Sequence, residues 1–307
     1  MTRDRSERFD DLMKRRLLAG FTAAFAATAL FAQSTIPNNP GVKPTVAIRN
    51  ATIVPVTSAP IANGTIVFAN GVITAVGANV QIPAGATVID GTGLFVYPGM
   101  IDSGSSVGLI EIDAVPGTVD TSELGDFNPN AQAAVAINPH SELIPVTRVN
   151  GVTHVVSVPE GGIISGQSAL IQMAGWTPPQ MVVKSPAAMN LRFPRLRGAP
   201  LSDVPQEEEA EKERRKGYTN QLDRLRDTFR DARAYGKAVA AGTRRVDRDL
   251  LLEALVPVVE GRVPVVLHAN QARDIRAALA FADEFKLNVI LSGAQDVARV
   301  VAEVKSR

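Results

Sequence analysis

A chain of 307 residues with 45% hydrophobic content can bury a sizeable core and form one large domain, or a large and a small one. Its 32 basic and 31 acidic residues give a formal net charge of +1, which supplies no field to gather nucleic acid or an anionic membrane surface. It contains no cysteine, which excludes disulfides, thiolate metal sites and cysteine nucleophiles.

The chain opens on a targeting pattern. In "MKRRLLAGFTAAFAATALFAQS" the cations Lys14, Arg15 and Arg16 precede an apolar stretch from Leu17 to Ala32, which ends in small residues and Gln33. Charged, apolar and small-residue regions in that order fit a secretory signal, and the stretch is short for the roughly 20 residues a membrane helix needs. Residues 1–33 are therefore expected to be a signal peptide. The mature protein is expected in the periplasm or outside the cell, with no stable membrane association. An uncleaved anchor is the competing reading, and the Arg15–Arg16 pair leaves the Sec and twin-arginine routes both open. "STIPNNPGVKP", residues 34–44, reads as a linker.

Residues 45–97 carry short Val/Ile-rich runs separated by Gly and Asn turns, the pattern of a small β-domain of sandwich type. Asn70-Gly71 between two such runs predicts a hairpin. From residue 98 onward the spacing lengthens into alternating strands and helices. "GVTHVVSVP", "VPVVLHAN" and "LNVILSGA" read as strands, with shorter ones in "SALIQMAG" and "MVVKS". "RDLLLEALVPVVEG", "QARDIRAALAFADEFK" and "DVARVVAEVK" read as helices. This alternation predicts α/β architecture with a parallel sheet or barrel over residues 98–307. A charged helical insertion occupies about 205–237, where nine of the ten residues from Glu207 to Lys216 are charged. Glu208/Lys212 and Glu211/Arg215 have the favourable four-residue spacing, and Leu222, Leu225 and Phe229 mark its packed edge. The reading assigns this helix no chemistry.

"LFVYPGMID", "GVTHVVSVP" followed by "GGIISGQSALIQMAGWTPPQMVVKSPAAM", and "VVLHANQARDI" come in an order that resembles the amidohydrolase superfamily, and within it the imidazolonepropionase-related branch. The resemblance extends over about residues 45–300. It implies a small β-domain joined to a (β/α)8 barrel of the TIM type, with catalytic metals at the C-terminal ends of the strands. It also implies a divalent cofactor such as zinc and hydrolysis of amide or cyclic amide C–N bonds.

The resemblance further implies a His-x-His pair after Pro98-Gly99 and Asp102, because two imidazoles on one face of an extended segment can hold one cation. Gly104 and Ser106 stand at those positions, and neither replaces an imidazole. His268 stands where a fifth-strand ligand is expected. Gly293 stands where the next strand would supply another histidine. The chain reaches Arg307 before a seventh or eighth strand, with about 210 residues from Pro98 onward against roughly 250 for a whole barrel, so an incomplete barrel is expected. Its open edges would favour a homo-oligomer.

The remaining candidates are few. His268 is read equally as a metal ligand or as a hydrogen-bonded structural histidine. His154 is expected to be a satisfied interior residue and His140 a surface residue. Lys184 is a remote candidate for a carbamylated bridging ligand. Glu160 ends a strand without an identifiable partner, and Asp120, Glu123 and Asp126 read as turn formers and caps. "GGIISGQS" lacks the lysine of a phosphate loop and reads as a tight turn. Two functions stand. One is a metal-dependent hydrolase; the other is a non-catalytic relative, with no metal, that binds a small molecule or acts as a scaffold.

Overall fold

The computed structural model describes residues 44–195, 208–242 and 246–307. The expected signal peptide and all of the linker but Pro44 lie outside the described residues. The chain divides into two units between Pro98 and Gly99.

The first unit is one five-stranded sheet. Strands β1 (Val46–Ile53), β2 (Ile61–Ala69), β3 (Val72–Gly77) and β4 (Thr87–Asp90) follow the order β3-β2-β1-β4, and β5 (Phe95–Val96) also pairs with β1. The hairpin between β2 and β3 turns at Asn70 and Gly71, whose φ values of 55° and 78° give the mirror-image turn that matches strand twist. Ala47, Ala51, Ile53, Ile66 and Val67 are its buried hydrophobic residues.

The second unit is a six-stranded sheet of β6 (Met100–Ser105), β7 (Val152–Ser157), β8 (Ile164–Gln172), β9 (Val182–Arg192), β10 (Val265–Ala269) and β11 (Val289–Gly293), paired in that order. Pairs β6–β7, β9–β10 and β10–β11 are parallel, whereas β8 runs antiparallel to β7 and β9. The reversal follows from connection length. Residues 158–163 and 173–181 are too short for a parallel crossover, which takes a dozen or more residues. The later connections carry helices instead: α2 (Glu208–Ala240) and α3 (Leu250–Val259) before β10, and α4 (Ala272–Phe285) before β11; α1 (Leu143–Val149) precedes β7. Among the described residues β6 pairs only with β7 and β11 only with β10, so the sheet is an open half-barrel. The fold is thus mixed α/β, an incomplete barrel preceded in sequence by a small β unit.

Period-two alternation in β10 decides what faces the cavity described below. Val265, Leu267 and Ala269 are buried against the helices, which turns Val266 and His268 to the opposite face. Beneath them lie Leu225 and Phe229 of α2, Leu255 and Val258 of α3, and Ile275, Phe281 and Phe285 of α4. The rings of Phe281 and Phe285 are 4.8 Å apart and those of Phe229 and Phe281 5.1 Å. A second core on β7 and β8 gathers Val155, Ala169 and Ile171 with Ile137 and Ile144.

Helix α2 follows the charge pattern, with Arg215 Nη2 2.6 Å from Glu211 Oε1 on its exposed side. The last predicted helix is broken. Val300, buried to 1% exposure, adopts φ −131° and separates a 3-10 turn at Val297–Arg299 from one helical turn at Val301–Lys305. Burying this β-branched side chain outweighs helical continuity here.

Candidate functional site

A cavity of about 690 Å³ lies above the C-terminal ends of β9 and β10. Arg192, the last residue of β9, is the register partner of His268 on β10, and His268 in turn pairs with Ser292 on β11. The backbone there is tied on both sides: Arg192 N–H donates to Ile163 O at 2.8 Å, and Phe193 N–H to His268 O at 3.1 Å. Phe193 is buried in the core, so Arg192 and Arg195 leave a fixed point. Burial, and then the Arg192 guanidinium, hold the His268 imidazole below its ordinary value of 6.5. It is neutral at physiological pH.

The cavity's far wall comes from α2, a helix that its charge pattern marks as solvated. Arg214, Tyr218 and Gln221 line it, and they continue toward the N-terminus the same face that buries Leu225, Phe229 and Ala232. Polar residues on the core-facing stripe were the available signal. The Tyr218 phenol is pushed up by burial and by Asp274, and so remains an O–H donor. Asp274 is buried and pairs with Arg273 Nε at 3.3 Å.

Gly293, where a histidine was expected from the resemblance, adopts φ 78°. A Cβ on it would lie 2.3 Å from Asn270 Oδ1 and 2.9 Å from His268 Cε1. The space is therefore filled by the Asn270 carboxamide, whose Oδ1 is buried and accepts no hydrogen bond.

At the other edge of the sheet, Gly104 lies in β6 and Ser106 just beyond it, with β7, β8 and β9 between them and His268. The structure does not bring them to His268. Asp102 is half-buried and its Oδ1 accepts the Gly104 N–H at 3.0 Å, which gives this acid a turn-holding role. Gly99 in the Pro-Gly entrance is explained by close approach, since a Cβ there would sit 2.1 Å from Thr153 Cγ2.

His154 is half-buried and lies 3.0 Å through Nδ1 from Thr153 Oγ1, while His140 is exposed. Lys184 is exposed, eight residues before Arg192 on β9, which separates it from His268 by roughly 26 Å of strand. Asp120 and Glu123 line a separate cavity of about 420 Å³, and Asp126 joins the wall of the larger one. The turn in "GGIISGQS" is tight as read: Cβ atoms on Gly162 and Gly166 would lie 2.8 Å from Asp126 O and 2.7 Å from Ala131 O. Glu160 N–H donates to Thr121 O at 2.7 Å, fixing the strand end.

The donor set does not fit a divalent metal. Zinc takes three or four nitrogen, sulfur or carboxylate ligands. His268 offers one nitrogen, the neighbouring register position holds the cation Arg192, and the adjacent strand presents Gly293 with its side-chain space filled. Among the described residues no three His, Asp or Glu side chains converge. No chemical step is therefore derived through a metal here.

No family model and no curated protein matches the sequence. Among solved structures, the chain is similar to an amidohydrolase from Thermotoga maritima MSB8, with 27% identity and a TM-score of 0.71. The match covers 85% of this chain and 68% of that one. An alignment to dihydropyrimidinase from Brevibacillus agri NCHU1002 covers 80% of this chain and 56% of that one, at 16% identity and a TM-score of 0.33, too low to bear on the reading. The likeness to the Thermotoga amidohydrolase, on the half-barrel and strand-end cavity above, supports the amidohydrolase superfamily for this chain.

Proposed function

We propose that this hydrolase-family chain is a metal-free, small-molecule-binding relative of the amidohydrolases, exported from the cytoplasm and related to the imidazolonepropionase branch. The observation that carries this reading is the strand-end layer itself. A guanidinium stands beside the one retained histidine, and Asn270 fills the side-chain space at Gly293. A lost ligand can leave an empty place; here the place has been rebuilt around other groups. The cavity keeps the position that barrel enzymes use and the polar groups that orient a ligand. Export rests on the order of charges and apolar residues in 1–33. The balanced charge argues for a small molecule over nucleic acid as partner.

A second reading is metal-dependent hydrolysis of amide or cyclic amide C–N bonds, which the likeness to the Thermotoga amidohydrolase favours. It requires ligands besides His268. Metal analysis of the purified protein, beside hydrolysis assays on dipeptides and cyclic amides, separates the two. The expected outcome is substoichiometric zinc, nickel and iron with no turnover. One bound metal per chain with turnover would establish the hydrolase.

A further inference from the structure

We propose that the cavity above β9 and β10 binds a small monocarboxylate whose body carries uncharged amide or hydroxyl groups, with Arg192 as its principal carboxylate contact. The proposal rests on the reading of this cavity as a metal-free binding site.

Arg192 and Arg195 both line the cavity, and among the described residues neither forms an ion pair. A guanidinium that faces a cavity without a carboxylate partner is a ready seat for an oxyanion, because its paired N–H donors match two oxygens at once. The backbone that carries the exposed Arg192 is fixed before any ligand arrives. The Arg192 N–H and that of Phe193 are bonded to two different segments, and the Phe193 ring is anchored in the core. A fixed backbone leaves only the arginine side chain to be ordered on binding.

The rest of the lining selects the charge and the body of the ligand. Asp126 and Asp274 share the cavity, and Asp274 is already neutralised by Arg273. Arg214 has an interaction of its own, so Asp126 offsets one of Arg192 and Arg195, and the remaining single positive charge favours a monoanion over a dianionic phosphate. Tyr218, Gln221, Gln271 and Gln295 add neutral donors and acceptors, which suit an amide or hydroxyl group. The neutral His268 adds one more donor or acceptor beside Arg192. A cavity of about 690 Å³ is of the size that holds ligands a few residues long.

The test uses the full chain after chelator treatment, with metal content measured on the same sample. Calorimetric titrations compare N-acetylglycylglycine, its C-terminal amide and inorganic phosphate. The acid is expected to bind at least tenfold more tightly than the amide, and phosphate more weakly than the acid. Arg192→Gln is expected to abolish the preference for the acid, Arg192→Lys to keep part of it, and Arg195→Gln to reduce it by less. Circular dichroism checks that each variant is folded. Equal binding of acid and amide, no binding of either, a preference that survives in the Arg192→Gln/Arg195→Gln double variant, or tighter binding of phosphate would each overturn the proposal. Stoichiometric metal with turnover would overturn the metal-free reading instead, and the metal measurement tells the two failures apart.

Discussion

At Gly104 an added Cβ would meet its nearest neighbour, Val158 Cγ2, at 3.5 Å, an ordinary contact; at Gly293 it would lie 2.3 Å from Asn270 Oδ1 on a backbone at φ 78°. Both glycines stand where the family resemblance implies histidine. The β6 end has room for a side chain at that position. The β11 end has none, with a left-handed backbone and the Asn270 carboxamide in that space. A side chain at the implied position is thus accommodated at one edge of the sheet and excluded at the other.

The largest effect is expected in the core behind the β11 end. Leu267 is fully buried under His268, whereas Ile101 on β6 is 65% exposed. Leu267→Ala is expected to cost about 2–5 kcal/mol, and Ile101→Ala no more than about 0.5 kcal/mol. Urea unfolding of both variants checks this, and equal costs would remove the distinction between the two ends.

The glycines themselves come next. Gly293→Ala combines a left-handed non-glycine residue with overlap against Asn270, and is expected to cost about 2–4 kcal/mol. Asn270→Ala in the same chain is expected to recover the overlap and leave the backbone strain. Gly104→Ala is expected to change stability by less than about 0.5 kcal/mol. A double-mutant cycle at 270 and 293 measures the coupling; additive costs would show that the carboxamide does not hold that space.

The smallest effect is a slope in pH. His268 has a depressed value in the folded protein, so below about 6.5 the unfolded chain takes up a proton that the folded chain refuses. This contribution is complete above that pH, is lost as pH falls from there toward the folded value, and is constant below it. His268→Gln is expected to flatten the stability profile in this window. The lowered carboxyls of Asp90, Glu211 and Glu253, with ordinary values of 3.8 to 4.5, act at more acid pH and leave the window clear. An unchanged slope in the variant would place the titration elsewhere.

Local features were legible where a single short stretch fixes them. Asn70-Gly71 marked its hairpin, because positive φ at two successive positions is a property of those residues. The strand carrying His268 and the helix Ala272–Phe285 announced themselves by periodicity. The reversal of β8 was implicit in its two short connections but needed the pairing to be seen. The wall of the cavity was harder to read. Charge density marks the start of α2 as solvated helix, and only the stripe that joins Tyr218 and Gln221 to Leu225 and Phe229 shows that this end also faces inward.

The sequence by itself determined the two-part organisation, the strand-helix alternation and the absence of histidine at 104, 106 and 293, since each depends on residue identity or on spacing along the chain. Tertiary structure alone decided which groups occupy the positions where the resemblance implies ligands. Arg192 and His268 are far apart in sequence and become neighbours only through the pairing of β9 with β10. Asn270 fills the place of a side chain at Gly293 only because the β10 and β11 ends lie side by side. Charge, burial and space at such a layer are sums over segments that meet in three dimensions, and no local window contains them.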